Sequence, residues 1–296
     1  MLHEINEFDF VFLSYDEPNA ETLYADLLNK VPWAKRVHGV KGFDAAHRAC
    51  AEASDTDFFV TVDGDNIVHD DFLNVKVSID ANQSDHAWTW AGRNLVNGVV
   101  YGNGGLKLWS KRFVMGMNSH ENHTGHGPKV DFCWDRRYND LPGCYSTTAI
   151  NGSPYQAFRA GFREGVKMSL DRGQRVPNRE FADRIVSHNM HKLLIWCSVG
   201  ADVDNGEWAI YGALAGVYEC NLTTWDFNDI IDYDWFANKW PEFENTDPIE
   251  RAKHLRTELR KHLGINLVEL NKDQSKFFKQ LYQDPYRQII CLIRYY

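Results

Sequence analysis

Two aspartates flank a single glycine where an apolar run ends, in the segment FFVTVDGDNIVHDDF at residues 58–72. Side chains two positions apart in a strand point to the same face, so the spacing predicts that Asp63 and Asp65 lie side by side, with Gly64 leaving the backbone open to a ligand. Neighbouring carboxylates repel each other unless a cation lies between them, and Mg²⁺ and Mn²⁺ prefer oxygen ligands. The segment therefore predicts a site for a divalent cation and a phosphate-bearing ligand, although acidic residues near a turn are equally typical of an ordinary surface loop.

The elements that must position this acidic pair alternate between strands and helices. Apolar strand patterns cover 8–15, 34–40 and 57–65, and helical patterns cover 18–30 and 42–54. Short connections in a strand–helix–strand–helix–strand order are typical of a parallel sheet, whose ligands bind at the carboxyl ends of the strands. The acidic pair follows the third of these strands, which is where such a ligand is expected.

The pattern changes after residue 75, and the sequence predicts an α/β fold with a mixed sheet, flanking helices and a C-terminal helical extension. Segments that alternate like antiparallel strands are 86–94, 98–103 and 104–114, and a long loop is predicted over 116–154. Helices are predicted over 154–171, 178–199 and 201–222, with one or two more over 248–283. The predicted domains are a catalytic domain, 1–247, with a donor half, 1–115, and an acceptor half, 116–247, followed by a basic extension, 248–296.

Composition argues against several classes of protein. The chain has 296 residues, of which 44% are hydrophobic, and its apolar runs are short and interrupted, so no membrane span is expected. The acidic N-terminal segment lacks the pattern of a signal peptide. The six cysteines are scattered without a C-x-x-C pair, which favours reduced thiols and a cytoplasmic location.

The net charge of −9 argues against a nucleic-acid partner, but the charge is unevenly distributed. Residues 251–296 contain ten basic and four acidic residues, and residues 159–192 contain eight basic and four acidic ones. Basic residues that could follow DNA phosphates along one helix and the segment after it are Arg159, Arg163, Lys167 and Arg175. The same spacing is typical of a solvated helix face, so a double-stranded DNA partner is one of two interpretations.

The residues around the acidic pair resemble those of the GT-A glycosyltransferases, a family that uses nucleotide sugars and carries a DxD motif. The resemblance covers about residues 8–115 and rests on FVFLSYDEP (10–18), VKGFDAAHRACAEA (40–53) and the DGD of Asp63 to Asp65. It implies a Rossmann-like GT-A fold, a UDP-sugar as the donor, and Mn²⁺ or Mg²⁺ held by the two aspartates. The residues that it implies for nucleotide binding are Ser14, Tyr15, Asp16, Glu17, Asp44, Asp63 and Gly64.

Longer segments resemble the glycosyltransferases of T4-like bacteriophages, which add sugars to hydroxymethylated bases of phage DNA. These segments are 13–42, 62–68 (VDGDNIV) and 195–216 (IWCSVGADVDNGEWAIYGALAG). The resemblance implies hydroxymethylcytosine in double-stranded DNA as the acceptor and the host-cell cytoplasm as the location. A glycan, a small molecule or a protein as the acceptor would share every residue on the donor side and is the alternative.

Residues late in the chain are expected to complete the site. Metal-dependent transferases of this fold often take a third ligand, frequently histidine, from that region, and His191 is the candidate together with His188. A transferase that inverts the sugar needs a carboxylate to accept the proton of the acceptor hydroxyl, and Asp202 and Asp204 are the candidates. Ordinary half-buried histidines and a solvated acidic turn are the alternatives at these positions.

Two other functions fit less well. A haloacid-dehalogenase phosphatase also has D-x-D after an apolar strand, but near its N-terminus, whereas here two strand–helix units precede the motif. Ile67 is also a poor match for the Thr or Val that normally follows in that family. A non-catalytic DNA-binding module has no use for an acidic pair such as Asp63 and Asp65.

Overall fold

A mixed sheet with helices beside it characterises the computed structural model of this chain, which describes residues 1–117, 119 and 135–283. The chain divides into two units, Met1–Asn94 with Val100–Ala149 and Leu95–Val99 with Ile150–Tyr296. The α/β fold class predicted from the sequence is confirmed at this level. The predicted division into a catalytic domain and an extension concerns function and stays a prediction.

Among its described residues, the first unit contains three α-helices, a main sheet and a small antiparallel sheet formed by its first and sixth strands. Its strands are β1 (Leu2–Glu4), β2 (Asp9–Ser14), β3 (Lys35–His38), β4 (Phe58–Asp63), β5 (Asn66–Val68), β6 (Lys76–Ser78), β7 (Ala87–Asn94), β8 (Val100–Tyr101), β9 (Leu106–Ser110) and β10 (Tyr138–Thr148). Its α-helices are α1 (Ala20–Lys30), α2 (Phe43–Ala53) and α3 (Lys111–Gly116).

The main sheet has the strand order β3-β2-β4-β9-β7-β10-β5, with β8 paired to β7. β2 lies parallel to both β3 and β4, as the alternation of strands and helices predicted. β9 runs antiparallel to β4 and to β7, so the strand direction changes beside β4. The carboxyl ends of β2, β3 and β4 therefore meet at one edge of the sheet, next to the start of β9.

Both faces of the sheet are buried at β2 because this strand alternates between two apolar sets. Phe10 and Phe12 of β2 pack in one hydrophobic cluster with Leu23 of α1. Val11 points to the opposite face and packs in a second cluster with Cys50 of α2. Packing on both faces holds β2 in place, and with it the residues that follow its carboxyl end.

One long strand lies where the sequence predicts a loop. β10 runs parallel to β7, although the composition of 116–154, rich in Gly, Asn, His and Pro, favoured a loop. The register shifts around Pro142 and Gly143, which lie outside the ladder as a bulge. Pairing with a neighbouring strand overrides local composition here, so the loop prediction is wrong for β10. Residues 118 and 120–134 of the predicted loop lie outside the described residues.

The second unit is helical over most of its described residues. Its α-helices are α4 (Pro154–Met168), α5 (Phe181–Arg184), α6 (Ser187–Trp196), α7 (Gly206–Leu222), α8 (Tyr233–Glu244), α9 (Pro248–Leu263) and α10 (Lys272–Leu281). α4, α7, α9 and α10 follow predicted segments, and the end of the predicted extension, from 284, lies outside the described residues. No helix in the described parts of the chain combines the length and apolar character needed to cross a membrane.

The helix predicted over 178–199 is divided in the structure. A short 3₁₀ helix, Asn178–Glu180, and α5 precede a break at Ile185 and Val186, whose ψ angles are 124° and 140°. Both residues are β-branched and lose side-chain freedom in a helix, so the prediction of one continuous helix is wrong. α8 lies where no helix was predicted, and it contains Pro241, although proline normally argues against a helix interior.

Glycines let α4 and α7 approach each other closely. A Cβ on Gly161 would lie 2.0 Å from Ala209 O, and a Cβ on Gly212 would lie 2.1 Å from Phe158 O. Contacts this short are possible only without a side chain. Residues 209–217 of α7 are all buried, so this helix forms the centre of the second unit's core.

Candidate functional site

Asp63 and Asp65 lie at the carboxyl end of β4 and in the turn that follows it. Asp63 is the last residue of β4, and its N–H donates to Gly105 O at 3.0 Å, beside the start of β9. Asp65 lies in the turn, not in the strand as the sequence predicted. Its carboxylate accepts a hydrogen bond from Asn66 Nδ2 at 2.7 Å, and its C=O accepts one from Ala149 N–H at 2.6 Å. The turn, not the alternation of a strand, therefore orients Asp65.

The environment of Asp65 disfavours its ionised form. Burial, together with the negative charges of Asp63 and Glu17, raises the pKa of Asp65 to about 7 from the ordinary value of 3.8. The hydrogen bond from Asn66 acts in the opposite direction. A nearby positive charge favours an ionised carboxylate, so a cation beside Asp65 would offset the cost of its burial. Asp65 therefore has an electrostatic reason to bind a cation.

Glu17 brings a third carboxylate to the same turn. It follows β2, and its Oε2 accepts the N–H of Tyr15 at 2.7 Å. A Cβ on Gly64 would lie 2.7 Å from this oxygen and 2.9 Å from Ser14 Cβ. The resemblance placed Glu17 near the nucleoside, and the structure places its carboxylate against the turn between the two aspartates.

A buried lysine that was not among the predicted site residues faces Asp63. Lys107 of β9 is 6% exposed, and its Nζ donates to Gly104 O at 2.9 Å and to Asp63 Oδ2 at 3.4 Å. The register pairs Lys107 with Thr61, which lies two residues before Asp63 and on the same face of β4. The sequence signal is a lysine in the middle of the strand pattern LKLWS, because lysine is rarely buried without a partner.

Two polar side chains of α2 are also buried. Asp44, implied at the nucleotide, is 1% exposed, and its two carboxylate oxygens lie 3.1 and 3.2 Å from Ser119 N, which donates to them. His47 Nδ1 lies 2.9 Å from Phe43 O, so this nitrogen carries the proton and Nε2 carries a lone pair. Nε2 is buried without a hydrogen-bond partner among the described residues, and burial lowers the pKa of His47 to about 4. His47 is therefore neutral at pH 7.

The other nucleotide-binding candidates at the end of β2 differ in exposure. Ser14 is buried, and its Oγ lies 3.0 Å from both His38 Nδ1 and Arg36 Nε, at the end of β3. Tyr15 and Asp16 are exposed, with 42% of Tyr15 accessible. Ser14 thus joins two strand ends, whereas Tyr15 and Asp16 are accessible to a ligand.

Asp202 and Asp204, the predicted catalytic bases, precede α7 in the second unit. Asp202 Oδ2 lies 2.7 Å from Lys279 Nζ of α10, in a pair whose side chains are 11% and 17% exposed. Its Oδ1 is buried, with no hydrogen-bond partner in the described chain. Asp204 is exposed, and its C=O accepts a hydrogen bond from Asn151 Nδ2 at 2.8 Å. The buried ion pair gives Asp202 a structural role, and the catalytic role stays a prediction for both residues.

His191, the predicted third metal ligand, lies on α6 in the second unit. Its Nε2 is 3.0 Å from Tyr282 Oη, and the two rings stack with their centroids 5.6 Å apart. His188 is exposed near the start of the same helix. The stacking and the hydrogen bond explain the position of His191 without a metal, and its role as a ligand stays a prediction.

Two of the residues predicted to bind DNA lie in partly enclosed surroundings on α4. The guanidinium of Arg159 is 4.2 Å from the centroid of the Tyr233 ring and 5.8 Å from that of Tyr155. Arg163 is half-buried, and its Nε has no hydrogen-bond partner among the described residues. Arg159 therefore has a packing role, since an arginine over an aromatic ring is attracted to the ring's face.

The other two predicted DNA contacts are exposed. Lys167 Nζ lies 3.1 Å from Glu164 Oε1 in a surface ion pair. Arg175 donates a hydrogen bond to Trp225 O, and its guanidinium lies 5.1 Å from the centroid of the Phe227 ring. Both side chains are accessible to a partner, and their contact with DNA stays a prediction.

Asp63 and Asp65 fit a Mg²⁺ or Mn²⁺ ion that takes its other ligands from a bound molecule. Among residues 1–117, 119 and 135–283, no three His, Cys, Asp or Glu side chains are arranged to hold a metal ion by themselves. Mg²⁺ commonly uses one or two protein carboxylates and completes its coordination with water and phosphate oxygens. The donor set therefore fits a cation that binds together with a phosphate-bearing ligand.

No protein-family model matches this chain, and no curated protein matches it.

Proposed function

We propose that this protein is a metal-dependent glycosyltransferase of the GT-A type, which transfers a sugar from a UDP-sugar to a hydroxyl group. The observation that supports the proposal best is the raised pKa of Asp65, where burial meets the negative charges of Asp63 and Glu17. Titratable groups whose pKa values are strongly shifted by burial and neighbouring charges cluster at functional sites. Ligands of open α/β sheets bind beyond the carboxyl ends of the strands, which is where this turn lies.

Asp63 and Asp65 would hold a Mg²⁺ or Mn²⁺ ion through carboxylate oxygens, the ligand type that both ions prefer. The bound ion would neutralise the charge that develops on the nucleoside diphosphate as it leaves. Gly64 lets the Glu17 carboxylate approach the turn, which concentrates negative charge at the cation. The exposed ring of Tyr15 lies at the end of β2, where it would stack on the base of the nucleotide.

For the acceptor we favour the hydroxymethyl group of hydroxymethylcytosine in double-stranded DNA, which would place the reaction in the host-cell cytoplasm. Sequence resemblance supports this choice, as do the exposed basic side chains of the second unit. These are Lys167, Arg172, Arg175 and Arg179. Contacts between such cations and phosphates position a protein on DNA without reading its sequence, and they weaken as salt rises.

The proposed use of a UDP-sugar donor is tested by measuring nucleotide release from a panel of nucleotide sugars, with Mn²⁺, Mg²⁺ or a chelator present. We expect a UDP-sugar to be cleaved only with the divalent ion. Asp65→Asn should abolish this release, whereas the matched change Asp71→Asn, at an exposed aspartate outside the site, should leave it intact. Release that persists at the wild-type rate in Asp65→Asn would remove the central hypothesis.

The proposed DNA acceptor is tested separately with the same reaction. DNA that contains hydroxymethylcytosine should stimulate release and gain the mass of one sugar on that base, whereas unmodified DNA should do neither. Stimulation by a glycan or a protein, with no effect of either DNA, would retain the transferase and reject the DNA acceptor. Cleavage of no nucleotide sugar under any condition would contradict the transferase itself.

A further inference from the structure

Lys107 occupies an unusual position for a charged residue. It lies in β9, between β4 and β7, where it is paired with Thr61 on one side and Thr89 on the other. Only 6% of the surface of Lys107 is exposed. Its neighbours in the strand, Leu106 and Leu108, are fully buried on the opposite face of the sheet. Burying an ammonium group is unfavourable unless the group is paired, so the partners of Lys107 show what it does.

The ammonium of Lys107 is directed along the sheet to the end of β4. It donates to Gly104 O at 2.9 Å and lies 3.4 Å from Asp63 Oδ2. A Cβ on Gly104 would lie 2.4 Å from Gly92 N, so the segment before β9 is held close to β7. Lys107 and Asp63 are therefore both fixed by the sheet, and the carboxylate of Asp63, which is 39% exposed, has one oxygen tied to the lysine.

The net charge of the side chains around the turn matches the charge of a divalent cation. Three carboxylates, those of Glu17, Asp63 and Asp65, act on one another there. His47 is the other titratable ring on which the charges of Asp63 and Lys107 act, and its burial keeps it neutral near pH 7. When all three carboxylates are ionised, the ammonium of Lys107 leaves two negative charges, which equals the charge that one divalent ion neutralises.

We propose that Lys107 is a positioning residue that holds Asp63 in place and sets the charge of the site so that it selects a divalent cation. This inference rests on the proposed function, because it takes the acidic turn as a cation site. Lys107 touches neither the cation nor the sugar donor in this role. It acts through Asp63, since the oxygen turned to the lysine leaves the other oxygen to the ligand.

The test compares the affinity of the protein for Mn²⁺ and for trivalent Tb³⁺, without nucleotide, by calorimetry and by competition. Lys107→Met and Lys107→Gln remove one positive charge, so they should raise the preference for Tb³⁺ over Mn²⁺ by about tenfold, the effect of one further charge at a few ångströms in a partly screened site. Lys107→Arg keeps the charge and should leave this ratio within about twofold of the wild type. A ratio of affinities is insensitive to a general loosening of the site, which affects both ions.

Thr89→Val is the matched control, because Thr89 is buried beside Lys107 and the change removes a hydroxyl without changing the charge. It should leave the ratio unchanged even if it lowers the melting temperature. An unchanged ratio in both neutral Lys107 variants would overturn the role of Lys107 while leaving the cation site intact. Failure of the wild type to bind Mn²⁺ at all would overturn the proposed cation site, and this inference with it.

If the neutral Lys107 variants fail to fold, a double variant tests whether the lysine is needed for its pairing with Asp63. Lys107→Met combined with Asp63→Asn removes both members of the pair. If pairing with Asp63 is the reason why the lysine is needed, this double variant should regain the circular-dichroism spectrum and cooperative unfolding of the wild type. If the double variant remains unfolded, the lysine is needed for something other than Asp63, and the inference is wrong.

Discussion

The carboxylate of Glu17 occupies the space that a side chain on Gly64 would need, since a Cβ there would lie 2.7 Å from Glu17 Oε2. The residues are 47 positions apart in the chain, and they meet because β2 and β4 are parallel neighbours that end together. The glycine of the D-G-D sequence is therefore explained by a contact with another strand end.

Gly64→Ala is expected to lower the free energy of unfolding by about 1–3 kcal/mol, the usual cost of adding a methyl group to a filled space. Glu17 can rotate away, but Ser14 Cβ, 2.9 Å from the new methyl group, belongs to β2 and cannot. Urea denaturation measures this loss. Gly102→Ala is the control because a Cβ there would meet nothing within 4 Å, and an equal effect of the two variants would contradict the close contact.

Without added divalent ions, the contribution of Asp65 to stability should fall as the pH rises from about 4 to about 7, whereas the lowered pKa of His47 acts in the opposite direction between about 4 and 6.5. Burial and the charges of Asp63 and Glu17 raise the pKa of Asp65 from 3.8 to about 7. Between these values the carboxyl group of Asp65 holds a proton in the native state that the unfolded chain has released, so its contribution to the free energy of unfolding falls with increasing pH. Urea denaturation at several pH values should show that the free energy of unfolding of Asp65→Asn rises relative to that of the wild type as the pH increases from about 4 to about 7, and a difference that does not change with pH would contradict the raised pKa of Asp65.

Saturating Mg²⁺ or Mn²⁺ should offset this loss of stability at pH 7 and above, because the ion stabilises the ionised carboxylate. The measurement is the shift in melting temperature with and without the ion, at pH 5 and at pH 8. A shift that is equal at both pH values would mean that the ion does not bind at Asp65. The Asp65→Asn variant serves as the control for binding elsewhere.

Breaking the ion pair between Lys279 and Asp202 should be costly. Both side chains are mostly buried, so Lys279→Met should lower the free energy of unfolding by about 3–5 kcal/mol by leaving Asp202 as an unpaired charge. The double variant with Asp202→Asn should recover part of the loss, as measured by urea denaturation. A folded double variant that still turns over a nucleotide sugar would exclude Asp202 as the catalytic base.

Gly212→Ala should destabilise the second unit although alanine is the better helix former. The gain in helix propensity is about 1 kcal/mol, whereas the new Cβ would lie 2.1 Å from Phe158 O, a backbone atom of α4. We expect a net loss, measured as a lower melting temperature. The control is Gly116→Ala, at the end of α3, where nothing lies within 4 Å of the new Cβ, and it should change the melting temperature little. A melting temperature that Gly212→Ala does not lower would show that α4 and α7 are not closely packed.

Local patterns predicted much of the sheet. The three parallel strands and α1 and α2 follow from alternation of period two, helical spacing and short connections, which involve residues close together in the chain. The same reasoning failed for β10, whose Pro142 and Gly143 are typical of a loop and are tolerated because the ladder with β7 bulges around them. It also failed for the helix over 178–199, because two β-branched residues interrupt it.

Some features of the candidate site follow from the sequence, and others depend on the tertiary structure. The sequence by itself determined that a buried strand beside two others ends at the acidic pair, since period and order are local properties, but it placed Asp65 in the strand, whereas the structure ends the strand at Asp63. Only the tertiary structure decided that Glu17 lies against Gly64, that Lys107 pairs with Asp63 across 44 positions, and that Asp202 is paired with Lys279. Those pairs depend on strand order, register and helix packing, and the charge that a carboxylate carries depends on the burial and neighbours that the folded chain brings to it.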